Sequence, residues 1–407
     1  MKDKTNIIVL KFGGTSVGDE GRLKAVADRI IKTKLEGKSV VVAVSAMGDT
    51  TDRLIELADK IASGSSRREM DMLLSTGEQA SSALLAMAVK EKGYDCISLT
   101  GRQAGILTDD VYSNAKILNI KTDRILSELK NGRIVIVAGF QGVNTRGDIT
   151  TLGRGGSDTT AVALASALKA NYCEIYTDVE GVYSADPNIV GRAAKLKSLS
   201  YDEMMELASY GAKVIHLRAA EFAKKNNVVI HIRSSFNDIE GTWVMDDYKK
   251  DDRMERPLVT GVAYDVGEVK ISIFGLEDRP GIAADLFGKL ADENINVDLI
   301  VQNVSEKNLA AISFTIKDKD LPVAKKVLSG LKNIRVSVDT DIAKVSIVGA
   351  GMQTHPGVAA KMFKILAGED INIEMISTSP IRISCVVKKG KIKEAVKALH
   401  SGFEMAK

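Results

Sequence analysis

Short apolar runs punctuate the first part of the chain, and between them apolar residues recur three and four positions apart. The runs Ile7 to Leu10, Val40 to Val44, Cys96 to Leu99, Ile134 to Ala138, Cys173 to Tyr176 and Val228 to Ile232 are mostly apolar, the pattern of strands buried on both faces. Leu23, Val26, Ala27, Ile30 and Ile31 form a helical stripe after the first run, and Leu54, Leu57, Ala58 and Ile61 do so after the second. A further helix is predicted after Gly155-Gly156-Ser157-Asp158, with Ser157 or Asp158 as its cap and Ala161, Leu164, Ala165 and Leu168 on its buried face. This alternation predicts an α/β sheet with helices on both faces.

A charged stretch from Asp246 to Arg253 then interrupts the pattern, and it reads as a domain boundary ending near Pro257. Beyond it lies an internal repeat. Pro280-Gly281-Ile282-Ala283-Ala284 matches Pro356-Gly357-Val358-Ala359-Ala360, and at the same spacing Phe287, Leu290, Ile295, Asn296 and Asp298 fall on Phe363, Leu366, Ile371, Asn372 and Glu374. Each unit reads strand, Pro-Gly loop, amphipathic helix, strand opening on Ile-Asn, and a further strand, the β-α-β-β part of a ferredoxin-like arrangement. Gly349-Ala350-Gly351 after a strand imitates a dinucleotide fingerprint, but the third glycine is absent and the first unit has no counterpart.

Composition changes this picture little. The chain has 407 residues, 45% of them hydrophobic, enough for two or three domains. A net charge of +3 gives no support for a nucleic-acid partner. No apolar run approaches the length of a membrane span, and the first strand is not preceded by a signal-like apolar stretch. Cys96, Cys173 and Cys385 lie far apart in strand-like runs, which suits free buried thiols in a reducing, cytoplasmic compartment. The four histidines show no ligand spacing, so no structural metal is expected.

The candidate chemistry sits where predicted strands end. Ile7 to Leu10 runs into Lys11-Phe12-Gly13-Gly14-Thr15-Ser16, a point charge, two glycines and two hydroxyls suited to phosphate, although a ligand-free glycine turn fits the same residues. No Walker A loop occurs. Ser45 to Asp52 is a hydroxyl-rich loop after the second strand, which by itself reads more simply as a turn and helix cap than as a binding loop. Glu78 is a lone carboxylate in a small, apolar stretch. It reads either as an acid at a helix N-terminus or as a receptor for a substrate ammonium group. Gly153-Arg154-Gly155-Gly156-Ser157-Asp158 combines loose backbone, a guanidinium that can grip a carboxylate and a positive helix end. Thr177 to Pro187 follows a strand, and Gly211-Ala212-Lys213 brings a second lysine.

Taken in order, Lys11-Phe12-Gly13-Gly14-Thr15-Ser16, Ser45-Ala46-Met47-Gly48, Gly153 to Asp158 and Thr177 to Tyr183 resemble the aspartate kinases of the amino acid kinase superfamily, and the C-terminal repeat resembles tandem ACT domains. The implied fold is a three-layer α/β sandwich over residues 1–247, followed by two ferredoxin-like (βαββαβ) ACT domains over 258–340 and 341–407. The implied reaction is phosphorylation of the side-chain carboxylate of L-aspartate by ATP with Mg²⁺. By resemblance, Lys11 contacts the transferring phosphoryl group, Gly13 and Gly14 donate backbone N–H groups, and Asp158 organises the lysines. Thr15, Ser45, Thr51, Glu78, Arg154, Gly155, Gly156 and Ser157 would hold aspartate, with Arg154 on its α-carboxylate and Glu78 on its ammonium group. Lys11, Phe12, Gly13, Gly14, Thr177, Asp178, Tyr183, Ser184, Asp186 and Lys213 would line the nucleotide. An effector, lysine, threonine or both, would meet Asp278, Gly281, Ile282, Ala283, Asn296, Val297, Asp298 and Gln302 in the first ACT unit, and Val358, Ala359, Asn372, Ile373 and Ser379 in the second. A homodimer through the ACT domains is expected. Two positions depart from the family pattern: Asn188 stands where an arginine is frequent, and Leu217 follows His216 where a proline is common.

Overall fold

The computed structural model describes residues 6–62, 64, 66–209, 214–246, 258–304, 309–331 and 334–405. The chain divides into two compact units. One comprises Met1–Val182, Lys195–Ala208 and Lys213–Asp252, and the other Tyr183–Ala194, Ser209–Ala212 and Arg253–Lys407. The predicted boundary from Asp246 to Pro257 falls largely outside the described residues.

The first unit contains strands β1 (Ile7–Phe12), β2 (Ser39–Val44), β3 (Cys96–Leu99), β4 (Ile106–Thr108), β5 (Ile117–Ile120), β6 (Ile134–Ala138), β7 (Gln141–Val143), β8 (Ile149–Thr151), β9 (Cys173–Thr177), β10 (Ser198–Leu199), β11 (Ile230–Ser234) and β12 (Thr242–Val244). Its helices are α1 (Glu20–Leu35), α2 (Thr50–Ile61), α3 (Arg67–Glu91), α4 (Asp123–Lys130), α5 (Gly156–Ala167), α6 (Tyr201–Ser209) and α7 (Leu217–Asn226). Eight strands form one sheet in the order β10-β12-β11-β9-β1-β2-β6-β3. The six predicted strands all lie in it, the last shifted by two residues to Ile230–Ser234. Strand periodicity sorts the core. Ile8, Leu10 and Phe12 of β1 and Val40, Val42 and Val44 of β2 pack with Leu23, Val26 and Ile30 of α1 and with Leu85 and Val89 of α3. The alternate face, which includes Lys11, lies against α5. From β1 the strand order runs toward β2 on one side and β9 on the other, so the sheet has its switch point there, where open α/β sheets form ligand crevices.

Two elements escape the sequence pattern. β5, β4, β7 and β8 form a separate four-stranded sheet of very short strands. α3 is one uninterrupted helix of 25 residues although Ser75, Thr76 and Gly77 lie inside it.

The second unit adds β13 (Gly261–Asp265), β14 (Glu268–Glu277), α8 (Ile282–Asp292), β15 (Val297–Val304), β16 (Leu309–Lys317), α9 (Leu321–Ser329), β17 (Arg335–Asp339), β18 (Ile342–Val348), α10 (Val358–Gly368), β19 (Met375–Ser379), β20 (Arg382–Lys388) and α11 (Ile392–Gly402). The sheet β15-β16-β14-β17 with α8 and α9 is a complete ferredoxin-like unit. The second sheet, β13-β18-β20-β19, has the same form, but its fourth strand is β13, which precedes the first unit in sequence. Both repeats begin their first helix from a glycine in the left-handed region, Gly281 and Gly357, which accounts for the recurrent Pro-Gly. Between the sheets, the wholly buried Lys344 ammonium is paired with Glu268 at 2.8 Å and with Asp298. Ala185 and Ile189 belong to the core of the second sheet with Val345, Ile347, Met362 and Leu399.

Candidate active site

β1 delivers Lys11 on the face that meets α5, and the lysine ammonium lies 2.7 Å from Asp158 Oδ1. Both side chains are nearly buried, so the carboxylate fixes the lysine's position. The backbone N–H of His216 donates to Asp158 Oδ2 at 3.2 Å. α5 begins at Gly156, and its cap is Gly155 at φ +68° rather than Ser157 or Asp158, which lie within the first turn. A side chain at Gly155 is barred twice, by that backbone conformation and because a Cβ would stand 2.0 Å from the His216 ring. Arg154, on the turn just before, is exposed, whereas Ser157 and Asp158 are buried. The loop after β1 is tied to the loop after β2: Ser45 N–H donates to Phe12 O at 3.1 Å, and Gly48 N–H to Gly14 O at 3.1 Å.

Glu78 lies well inside α3 rather than at a helix N-terminus, so the macrodipole reading of it does not hold. It is 3% exposed. Its Oε1 accepts the backbone N–H of Ala46 at 3.2 Å, the residue after Ser45. Gly77 makes this approach possible, because a Cβ there would meet the Ala46 Cβ at 2.9 Å. Burial pushes the Glu78 carboxyl up to about 7, against the opposing pull of the backbone donor. Its Oε2 has no hydrogen-bond partner among the described residues. Such a group calls for a cation.

Thr15 on the β1 loop is exposed, while Ser45 and Thr51 are half-buried. Thr177 at the end of β9 donates its hydroxyl to Asp178 at 3.0 Å. Tyr183, Ser184 and Asp186 belong to the second compact unit. There the Ser184 hydroxyl meets His400 Nε2 at 2.9 Å, and Asp186 accepts from the Tyr264 hydroxyl at 3.0 Å. Lys213 lies outside the described residues. Of the effector candidates, Asp278, Gly281, Asn296, Gln302 and Asn372 are exposed, and Asp298 is engaged by Lys344. Ile282, Ala283, Val297, Ala359, Ile373 and Ser379 are half-buried, and Val358 is buried.

Sequence reasoning passed over Asp71 and Arg218, two polar residues whose hydrogen bonds tie segments remote in sequence together.

Residues 6–234 match the amino acid kinase family, and residues 271–336 and 345–403 match ACT domains. An aspartokinase of Geobacillus stearothermophilus is 51% identical over 400 residues, covering 98% of each chain. The solved structure of Escherichia coli aspartokinase III in complex with aspartate and ADP (R-state) superposes with a TM-score of 0.83 at 27% identity, covering 97% of this chain and 99% of that one. The same enzyme in complex with lysine and aspartate (T-state) gives 0.75 at 27% identity, covering 98% and 99%. The chain therefore belongs to the amino acid kinase family and, within it, to the aspartate kinases that carry C-terminal ACT domains.

Proposed function

We propose that this aspartate kinase transfers the γ-phosphoryl group of ATP to the side-chain carboxylate of L-aspartate, giving 4-phospho-L-aspartate and ADP. This would be the first step toward lysine, threonine and methionine. The observation that carries the reading is the combination of the Lys11–Asp158 pair with the partnerless Glu78 oxygen. An aspartate carboxylate with a pKa of about 4 is ionised at neutral pH and needs no general base. The obstacle is repulsion, about 4 kcal/mol for one pair of like charges at about 4 Å and an effective dielectric near 20. Lys11, held in place by Asp158, lowers that barrier at the transferring group, and the Gly13 and Gly14 amides add to it. Arg154 grips the α-carboxylate and Glu78 the ammonium group, with Thr15, Ser45, Thr51 and Ser157 supplying polar contacts. Thr177 and Asp178 face the nucleotide.

Among the described residues no three His, Cys, Asp or Glu side chains gather to hold a metal. Mg²⁺ would enter on the phosphates of ATP, the usual way a hard cation that keeps its waters is brought to a kinase site. The ACT units, by analogy with the lysine complex of aspartokinase III, bind lysine or threonine as a feedback effector and pair in a homodimer. Three buried thiols suit a cytoplasmic enzyme, and among the described residues no helix is long and apolar enough to cross a membrane.

Incubation with ATP, Mg²⁺, hydroxylamine and either aspartate or glutamate tests this, because hydroxylamine converts acyl phosphates to coloured hydroxamates. Colour with aspartate alone is expected, and lysine or threonine should suppress it. Colour with glutamate alone would move the substrate, and silence would make the chain an amino-acid sensor rather than a kinase.

A further inference from the structure

α3 carries two buried carboxylates, and the proposed chemistry uses only Glu78. The other, Asp71, lies seven residues earlier, on the same helix face and about 10 Å back along the axis. Asp71 is fully buried and accepts four hydrogen bonds. Its Oδ2 takes the backbone N–H groups of Ser113 at 2.9 Å and Thr151 at 2.8 Å, and its Oδ1 takes their hydroxyls at 3.1 and 2.8 Å. Ala115 N–H donates in turn to Thr151 O at 2.9 Å, which makes residues 113–115 and the end of β8 one piece. Arg218 at the start of α7 holds that same piece by two carbonyls. Its Nη1 donates to Leu152 O and its Nη2 to Ala115 O, each at 2.6 Å.

Thr151 and Leu152 lead through Gly153 into Arg154 and the first turn of α5. Glu78 and Arg154 thus stand on different elements, α3 and the β8–α5 turn, yet they would grip two groups borne by a single carbon of the substrate. Their separation has to be fixed closely, because small misplacements of binding groups cost large factors in rate. A hydrophobic contact could join the two elements, but it would not set their distance and angle. A carboxylate accepting two N–H and two O–H bonds does both. We propose that Asp71 and Arg218 are positioning residues that set the spacing between the ammonium and α-carboxylate receptors, and so govern the affinity for the amino-acid substrate but not for ATP. This rests on the assignment of Glu78 and Arg154 to aspartate.

Steady-state kinetics of the full chain, with both substrates varied, tests it. Asp71→Ala is expected to raise KM for aspartate about tenfold or more while KM for ATP stays within about twofold, and Arg218→Gln should do the same to a smaller extent. Asp71→Asn serves as the rescue. Its amide oxygen can accept both N–H groups and its NH₂ can donate to both hydroxyls, so KM for aspartate should return to within about threefold of wild type. If Asp71→Ala fails to fold, Thr151→Val removes one of the four bonds, and a rise of about threefold in KM for aspartate alone is expected. An unchanged KM for aspartate in folded variants, or an equal rise in both constants, overturns the positioning role. Arg154→Ala separates the two ideas. If it leaves KM for aspartate unchanged, the receptor assignment falls. If it raises that constant while Asp71→Ala does not, only the positioning role falls.

Discussion

Glu78 shows how one side chain couples burial to binding. Its ordinary value near 4.5 is raised to about 7 by desolvation, so the free enzyme at neutral pH holds a mixture of charged and neutral forms. An ammonium ligand favours the ionised form. kcat/KM for aspartate should therefore rise with pH through about 7, and Glu78→Gln should flatten that limb while weakening aspartate binding. Stability runs the other way. A folded carboxyl raised above its unfolded value contributes most below pH 4.5 and loses that contribution as pH climbs through 7, when a charge is forced into a buried site. Thermal melts should show Glu78→Gln gaining stability over wild type at pH 8 and little at pH 5. At this scale the sequence was legible in its residue types. Lys11, Arg154, Glu78 and Asp158 stand out because charge interrupts apolar or glycine-rich stretches. Asp71 and Arg218 did not stand out, because their partners are a backbone and two hydroxyls from segments remote in sequence, which no spacing rule relates.

Among the elements, the strands of the main sheet were readable because burial on both faces removes polar residues from the sequence itself. α3 was not, since its middle contains Ser75, Thr76, Gly77 and Ser81, residues that ordinarily mark turns. The missing side chain of Gly77 is what permits close contact with Ala46 in the loop after β2. Gly77→Val is accordingly expected to destabilise the protein by about 1–3 kcal/mol through overpacking against Ala46, and to weaken aspartate binding by displacing Ser45 and Glu78 together. Chemical denaturation and aspartate KM measured on the same preparation check both effects. The strands of the small sheet, three or four residues each, are too short for a two-residue period to be distinguished from a loop. The closing of the second ferredoxin-like sheet by β13 was illegible for another reason, because a repeat found by sequence similarity cannot include a strand that precedes the repeat.

At the scale of the whole molecule, the chain joins a kinase sheet with its switch point at β1 to a pair of ferredoxin-like units that hold the buried pair of Lys344 and Glu268, with the more exposed Asp298 also on the lysine. The segment after β9 that the family resemblance assigned to the nucleotide contributes Ala185 and Ile189 to the core of the second unit, a placement that strand and helix periodicity could not foretell. The central claim is that Lys11, oriented by Asp158, stabilises charge during transfer to an aspartate side chain, and the most direct measurement is hydroxamate formation by wild type and Lys11→Ala side by side, with melting of each protein recorded. Wild type should yield hydroxamate from aspartate and not from glutamate, whereas Lys11→Ala should melt close to wild type and lose product formation by about a thousandfold or more. A folded Lys11→Ala protein that phosphorylates aspartate at a rate near wild type would contradict the account.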